Sequence, residues 1–118
     1  MFNLSHRKGY LDGYVMVCTP KQTDNGFGAV KNPRSKADLN MYLKLAYNEM
    51  FCREGDYQYA SRHGRTLSYK IRVPYCRKVN TSHYIVVGDM LYSIIDVDND
   101  INRQNTYITL EEVRKLDN

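Results

Sequence analysis

The chain has 118 residues, 42% of them apolar and 25% charged, with eleven Tyr, three Phe and no Trp. That length and composition suit one globular domain with a modest core, leave no chain for a second, and exclude disorder throughout. The formal net charge of +4 is unevenly spread: residues 1–36 hold six Lys or Arg against two Asp, residues 37–76 six against four acids, and residues 77–118 five against seven.

A basic first two-thirds suits contact with phosphate, and ends of opposite sign suit subunits stacked head to tail; simple solubility accounts for the same excess. The opening MFNLSHRKG lacks the apolar run of an export signal. No stretch approaches the ~20 apolar residues of a membrane helix, so a cytoplasmic protein without a membrane partner is expected. Cys18, Cys52 and Cys76 are odd in number, far apart and free of any CxxC, and read as reduced thiols.

In chain order, residues 10–18 (YLDGYVMVC) have the aromatic and β-branched content of a strand, with Gly13 a candidate bulge. Residues 19–36 contain two Pro, two Gly, a DNG and an NP, which predicts a long loop with at most a small hairpin at Asp24-Asn25-Gly26. Its basic residues Lys21, Lys31, Arg34 and Lys36 make it a candidate docking element, with a merely solvated loop as the alternative. Residues 39–51 are ambiguous. Leu39, Met41, Leu43, Leu45 and Tyr47 alternate as in a strand, while Leu39, Tyr42, Leu43, Ala46, Tyr47 and Met50 would line a helix face. A strand is preferred because its neighbours are strands and a meander needs no crossover.

Residues 53–65 (REGDYQYASRHGR) follow as a polar, aromatic, basic connection with Gly55 and Gly64 near its ends, expected to be mobile. Residues 66–75 (TLSYKIRVPY) carry the clearest signal. Leu67, Tyr69, Ile71, Val73 and Tyr75 alternate without a slip against polar residues or Pro74, the period of a half-buried strand. Two short apolar runs, 84–87 and 90–97, flank Gly88-Asp89 as a hairpin, and residues 106–110 are again strand-like. Thr109 and Glu112 have capping-box spacing, which predicts a short terminal helix as an alternative end. Five or six short strands with no βαβ rhythm predict a mainly β domain, a small antiparallel β-barrel or sandwich with long loops.

Little in the chain suggests catalysis. His6, His63 and His83 have no ligand partners at metal spacing, so neither a metal nor another cofactor is expected. Residues 96–100 imitate the opening of a calcium loop, but Ile101 stands where Gly is required and Tyr107 where a bidentate Glu belongs. Gly26-Phe27-Gly28 lacks the Lys-Ser/Thr of a phosphate loop, and no nucleophile with its base is recognisable; an enzyme is not expected.

The order of TLSYKIRVPY, YIVVGDMLYSIIDVDND and NTYITLEEV resembles the closing half of the bacteriophage head closure proteins, also called head-tail joining or stopper proteins, of long-tailed phages. That family has a strand ending in an Arg/Pro-aromatic step, a Gly-Asp/Arg hairpin followed by apolar-Tyr-x-Ile, an Asp-rich turn and a last strand. Here these are residues 71–75, 85–94, 96–100 and 107–110. The likeness covers residues 53–113. Earlier elements fit in order only, and the Trp frequent on the second strand is absent.

The resemblance implies a small β-barrel assembled as a ring, commonly of twelve copies, between portal or adaptor and tail proteins, which retains the packaged double-stranded DNA and presents a tail platform. It implies host cytoplasm during assembly and then the virion. The family's channel loop corresponds to residues 53–65, so Arg53, Tyr57, Tyr59, Arg62, His63 and Arg65 become candidate DNA-facing residues, and residues 19–36 a candidate docking loop. The alternative for the tyrosines is cover for the barrel end. Rival functions are a small nucleic-acid-binding barrel using Tyr69, Lys70, Arg72 and Tyr75, or another phage connector or tail ring component.

Overall fold

Period-two patterning decides most of the architecture, because each strand with one apolar face needs other strands to close over it. The computed structural model describes residues 10–21 and 33–117. Its strands are β1 (Gly13–Pro20), β2 (Leu39–Met50), β3 (Tyr69–Pro74), β4 (Tyr84–Val87), β5 (Met90–Asn99) and β6 (Asn105–Lys115), and an α-helix, α1 (Glu54–Arg62), lies between β2 and β3. All neighbours are antiparallel and the sheet closes on itself in the order β1-β2-β3-β6-β5-β4. The ring is uneven. β5 and β6 pair along nearly their whole length, whereas β2 meets β3 only through Asn48, Glu49 and Met50, and β4 meets β1 only through Tyr84, Ile85 and Val86.

The meander expected from neighbouring strands is corrected by this order. β6, not β4, lies beside β3, from Tyr69 opposite Leu110 to Pro74 opposite Asn105. The chain therefore crosses one barrel end between β3 and β4, and Val79 on that crossing is buried in the core. Val15, Val17, Ile71, Val73, Ile85, Ile94, Ile108 and Leu110 fill the interior. Each such side chain contributes roughly 1.5–3 kcal/mol on burial.

β3 is shorter than the predicted 66–75, and its Ile71 and Val73 point into the core as the alternation requires. Gly13 adopts a positive φ of 126°, but the register shift in β1 lies between Val17 and Cys18, where Tyr42 is the extra residue on β2. That bulge explains why the even alternation of residues 39–47 fails. Leu43, Leu45 and Tyr47 pack on the core, while Leu39 and Met41 turn to the outside. The predicted strand at 39–51 is otherwise present.

The alternative terminal helix is absent: Thr109 and Glu112 lie inside β6. Capping spacing is a local signal, and here the ladder to β5 and the buried Leu116 outweigh it. The predicted mobile connection at 53–65 is instead mostly α1. The hairpin expected at Asp24-Asn25-Gly26 lies outside the described residues.

Candidate functional site

Two patches on the outer surface of the barrel hold those predicted site residues that the structure describes. The first is α1 on the outer face of β3, β6 and β5. Asp56 in the first turn accepts a hydrogen bond from the Arg53 N–H (2.8 Å), and Gln58 Nε2 donates to Glu54 Oε2 (3.1 Å). The helix ends in a Schellman motif: Arg65 N–H bonds to Ala60 O (2.8 Å), Gly64 N–H to Ser61 O (3.0 Å), and Gly64 takes the left-handed φ of 67°.

Polar ties hold this helix at both ends. Lys70 Nζ of β3 lies 3.0 Å from Asp56 Oδ2, and the Lys70 side chain is almost fully buried beneath the helix. After the helix, Arg65 donates to Glu111 of β6 and Ser93 of β5, and the Thr66 N–H donates to the same Glu111 carboxylate at 3.1 Å. Between the ties only Ala60 is buried. Burial alone would raise the Asp56 carboxyl, but the Arg53 N–H and the Lys70 ammonium hold it below its usual value. The Arg65 hydrogen bond and the Thr66 N–H likewise hold Glu111 low, against the opposing effect of desolvation.

Of the six candidate DNA-facing residues, Arg65 is thus engaged by the barrel. Arg53, Tyr57, Tyr59, Arg62 and His63 are exposed. Tyr59 and His63, one turn apart, stack with centroids 4.3 Å apart, and His63 Nδ1 lies 2.8 Å from Tyr59 O. Arg62 projects from the side of α1 away from Asp56 and Ala60. The helix and its flanking residues thus present arginines, tyrosines and His63 to the outside, with the acidic Glu54 beside Arg53. Beside it, Glu49, Phe51, Arg53, Asp98, Asp100 and Tyr107 line a broad open cleft of mixed charge, with Phe51 almost wholly exposed.

The second patch is the outer face of β2, β1 and β4 with the start of β5. Cys18, Leu39, Val86, Leu91 and Leu116 form a small apolar cluster outside the barrel. A 3₁₀ turn at Lys36–Asp38 lies alongside, Asp117 N–H bonds to Arg34 O (2.7 Å), and Leu116 N–H bonds to Asp89 O (2.6 Å). Next to the cluster, Tyr14, Met16, Leu39, Met41 and Val86 line a cleft of about 290 Å³ rimmed by Lys36. Lys44 Nζ sits 4.7 Å from the centre of the Tyr14 ring.

Of the candidate docking residues, Lys36 reaches this cleft; Lys21 and Arg34 are exposed near the 3₁₀ turn, where the Lys21 N–H bonds to Asp38 O (2.9 Å). Lys31 lies outside the described residues. Sequence reasoning missed the cleft. Its signal was YVMVC, in which Tyr14, Met16 and Cys18 are as apolar as Val15 and Val17, a pattern that marks a strand covered on both faces.

All three cysteines are unbridged, Cys18 buried and Cys52 and Cys76 half-buried. Among the described residues no three His, Cys, Asp or Glu side chains come together as a metal site. Nor is any helix among them long and apolar enough to cross a membrane. No protein-family model matches the chain, and no curated protein matches it.

Proposed function

We propose that this chain is a structural component of a phage head-tail connector: a ring-forming stopper that closes the portal channel after DNA packaging and offers the platform for tail attachment. The observation that carries this reading is the succession of a closed antiparallel barrel, an outer segment bearing exposed Arg53, Tyr57, Tyr59, Arg62 and His63, and a following strand that ends at Pro74-Tyr75. This is the order of parts that the resemblance of residues 53–113 to head closure proteins implies. Around a ring, the exposed Arg53 and Arg62 side chains at the two ends of α1 would sum to a positive field at a duplex end, an effect that salt screens. Such a protein acts in the host cytoplasm during assembly and afterwards in the virion.

The polar ties of α1 bear on how such a channel element works. Held by Asp56–Lys70 and Arg65–Glu111, it acts as a rigid blade whose position is set by the barrel, and ring geometry rather than loop folding would decide where its arginines lie. The rival reading of a single-strand-binding barrel has less support. Tyr69 packs against Tyr92 and the core, Lys70 pairs with Asp56, and Arg72 donates to Asn48 at 2.6 Å, so the strand face it requires is engaged internally.

The test is to mix the purified protein with portal and adaptor rings and image the product by electron microscopy. An added β-rich ring whose density narrows the lumen is the expected result. Failure to add to the portal complex, together with tight, salt-sensitive binding of short single-stranded DNA by the monomer, would overturn it.

A further inference from the structure

We propose that copies of this chain join head to tail, the β5–β6 turn of one copy seating Ile101 in the apolar cleft on the outer face of β1 in the next. This deepens the ring reading and rests on it.

The turn is the first half of the argument. Ile101 is completely exposed, a branched apolar side chain at the tip of the turn that is buried against nothing among the described residues. The turn presenting it is held in shape: Asp100 N–H bonds to Asn105 O (3.0 Å) and Arg103 N–H to Asp100 O (3.1 Å), while Asp100 Oδ2 accepts from both the N–H and the side-chain amide of Asn105 (3.1 and 3.2 Å). Arg103 closes it in the left-handed region, at a φ of 60°. Ile101 is therefore a preorganised knob, flanked by the carboxylates of Asp98 and Asp100 against the single guanidinium of Arg103.

The cleft is the second half. It is concave, about 290 Å³, and lined by Tyr14, Met16, Leu39, Met41 and Val86, of which Tyr14 and Met41 are largely exposed. Gly88 at its edge leaves open space where a side chain would stand. Its charged rim is Lys36, with Lys44 beyond Tyr14, and among the described residues no carboxylate lines it. Of the acids near it, Asp38 accepts from the N–H groups of Arg34 and Ser35 and Asp89 faces Lys115 at 3.7 Å, while Asp117 stands exposed beyond the 3₁₀ turn. An apolar knob with acidic flanks matches an apolar hole with a basic rim.

The two cannot meet within one chain. Gly88 precedes β5 and Ile101 follows it, so the strand's ten residues hold them about 30 Å apart at roughly 3.3 Å per residue. Two different patches of one chain that complement each other make a heterologous contact, which closes into a ring where the rotation allows.

The test places the photo-crosslinking residue p-benzoylphenylalanine at position 101 of the full-length chain, irradiates it both as concentrated free protein and after addition to portal rings, and maps the products by mass spectrometry. Links to residues 14–16, 39–41 or 86–88 of another copy, in either setting, support the interface. Ile101→Glu, at an exposed turn tip that leaves folding intact by circular dichroism, should weaken self-association by roughly tenfold or more, the loss expected for one buried Ile. Lys36→Glu and Asp98→Lys should each weaken it, and the double variant should restore it. A ring on the portal whose position 101 links elsewhere overturns this interface and leaves the stopper reading standing. Links between free copies with no ring on the portal do the reverse, and neither ring nor links overturns both.

Discussion

The barrel covers its outer surface in two different ways. Beside β3 a nine-residue helix is fastened by polar ties, Asp56 to Lys70 and, just past its end, Arg65 to β6 and β5, with Ala60 its one buried side chain. Over β4 and β5 the cover is apolar, with Leu39 and Leu116 closing on Cys18, Val86 and Leu91. A polar attachment fixes direction but depends on ionisation, whereas an apolar one depends on area and shape. The first suits an element that must be aimed; the second leaves neighbouring apolar surface open, in the Tyr14–Met41 cleft, for another molecule to complete.

Mutation should separate the two covers most strongly at their centres. Leu91→Ala removes a fully buried side chain from the apolar cover and should lower the unfolding free energy by about 2–5 kcal/mol in urea denaturation. Lys70→Ala, which deprives the partly buried Asp56 of its cation, should cost about 1–3 kcal/mol. The sharper readout is hydrogen exchange, where the amides of α1 should open first in Lys70→Ala while those of β4 and β5 stay protected. Equal loosening of both faces would dissolve the distinction.

Of the two covers, acid should act on the polar one first. Asp56 and Glu111 ionise below their unfolded values, so the stability they contribute is complete above about pH 4.5 and is lost as pH falls through their folded pKa values. Protection of α1 amides should fall over that window while the outer apolar cluster holds. A separate and earlier event is expected at the β3–β4 crossing. Burial holds the His83 imidazole below its ordinary value, and its Nδ1 accepts from the Asn80 N–H at 3.2 Å, beside the Tyr42 ring. The neutral ring's contribution is therefore complete above about pH 6.5 and declines below it, because the unfolded chain takes up the proton more readily. NMR titration should show Asn80 and Tyr42 shifting before α1 responds.

Smaller effects refine the picture. Gly64→Ala forces a side chain into the left-handed region that ends α1 and should cost about 1–2 kcal/mol, read as increased exchange in the helix with the barrel unchanged. Thiol labelling should reach Cys52 and Cys76 well before Cys18, which is buried in the apolar cover with its thiol raised by desolvation. Fast labelling of Cys18 would mean that this cover opens readily in solution.

Residues with strict alternation were legible without coordinates. Ile71 and Val73 of β3, and the hairpin about Gly88-Asp89, lie where period and turn chemistry place them. The exposed positions of Arg53, Arg62 and His63 also agree with their polarity. The helix beneath them was hidden because its signals were short and divided: acidic Glu54 and Asp56, basic Arg62 and a closing Gly64 were all present, but nine residues with Gly55 and alternating tyrosines make a weak helix by themselves. What stabilises it is Lys70, Ser93 and Glu111, which are distant in sequence.

By itself, the amino-acid sequence determined the strand content and the inward faces of most strands, because side-chain alternation and turn residues are local properties of the chain. Only the tertiary structure decided that β6 lies beside β3, that a bulge at Tyr42 turns Met41 outward, and that a polar segment becomes a fastened helix. Those outcomes arise from pairings between residues tens of positions apart, where closing the ladder and burying Val79 and Leu116 outweigh every local preference along the way.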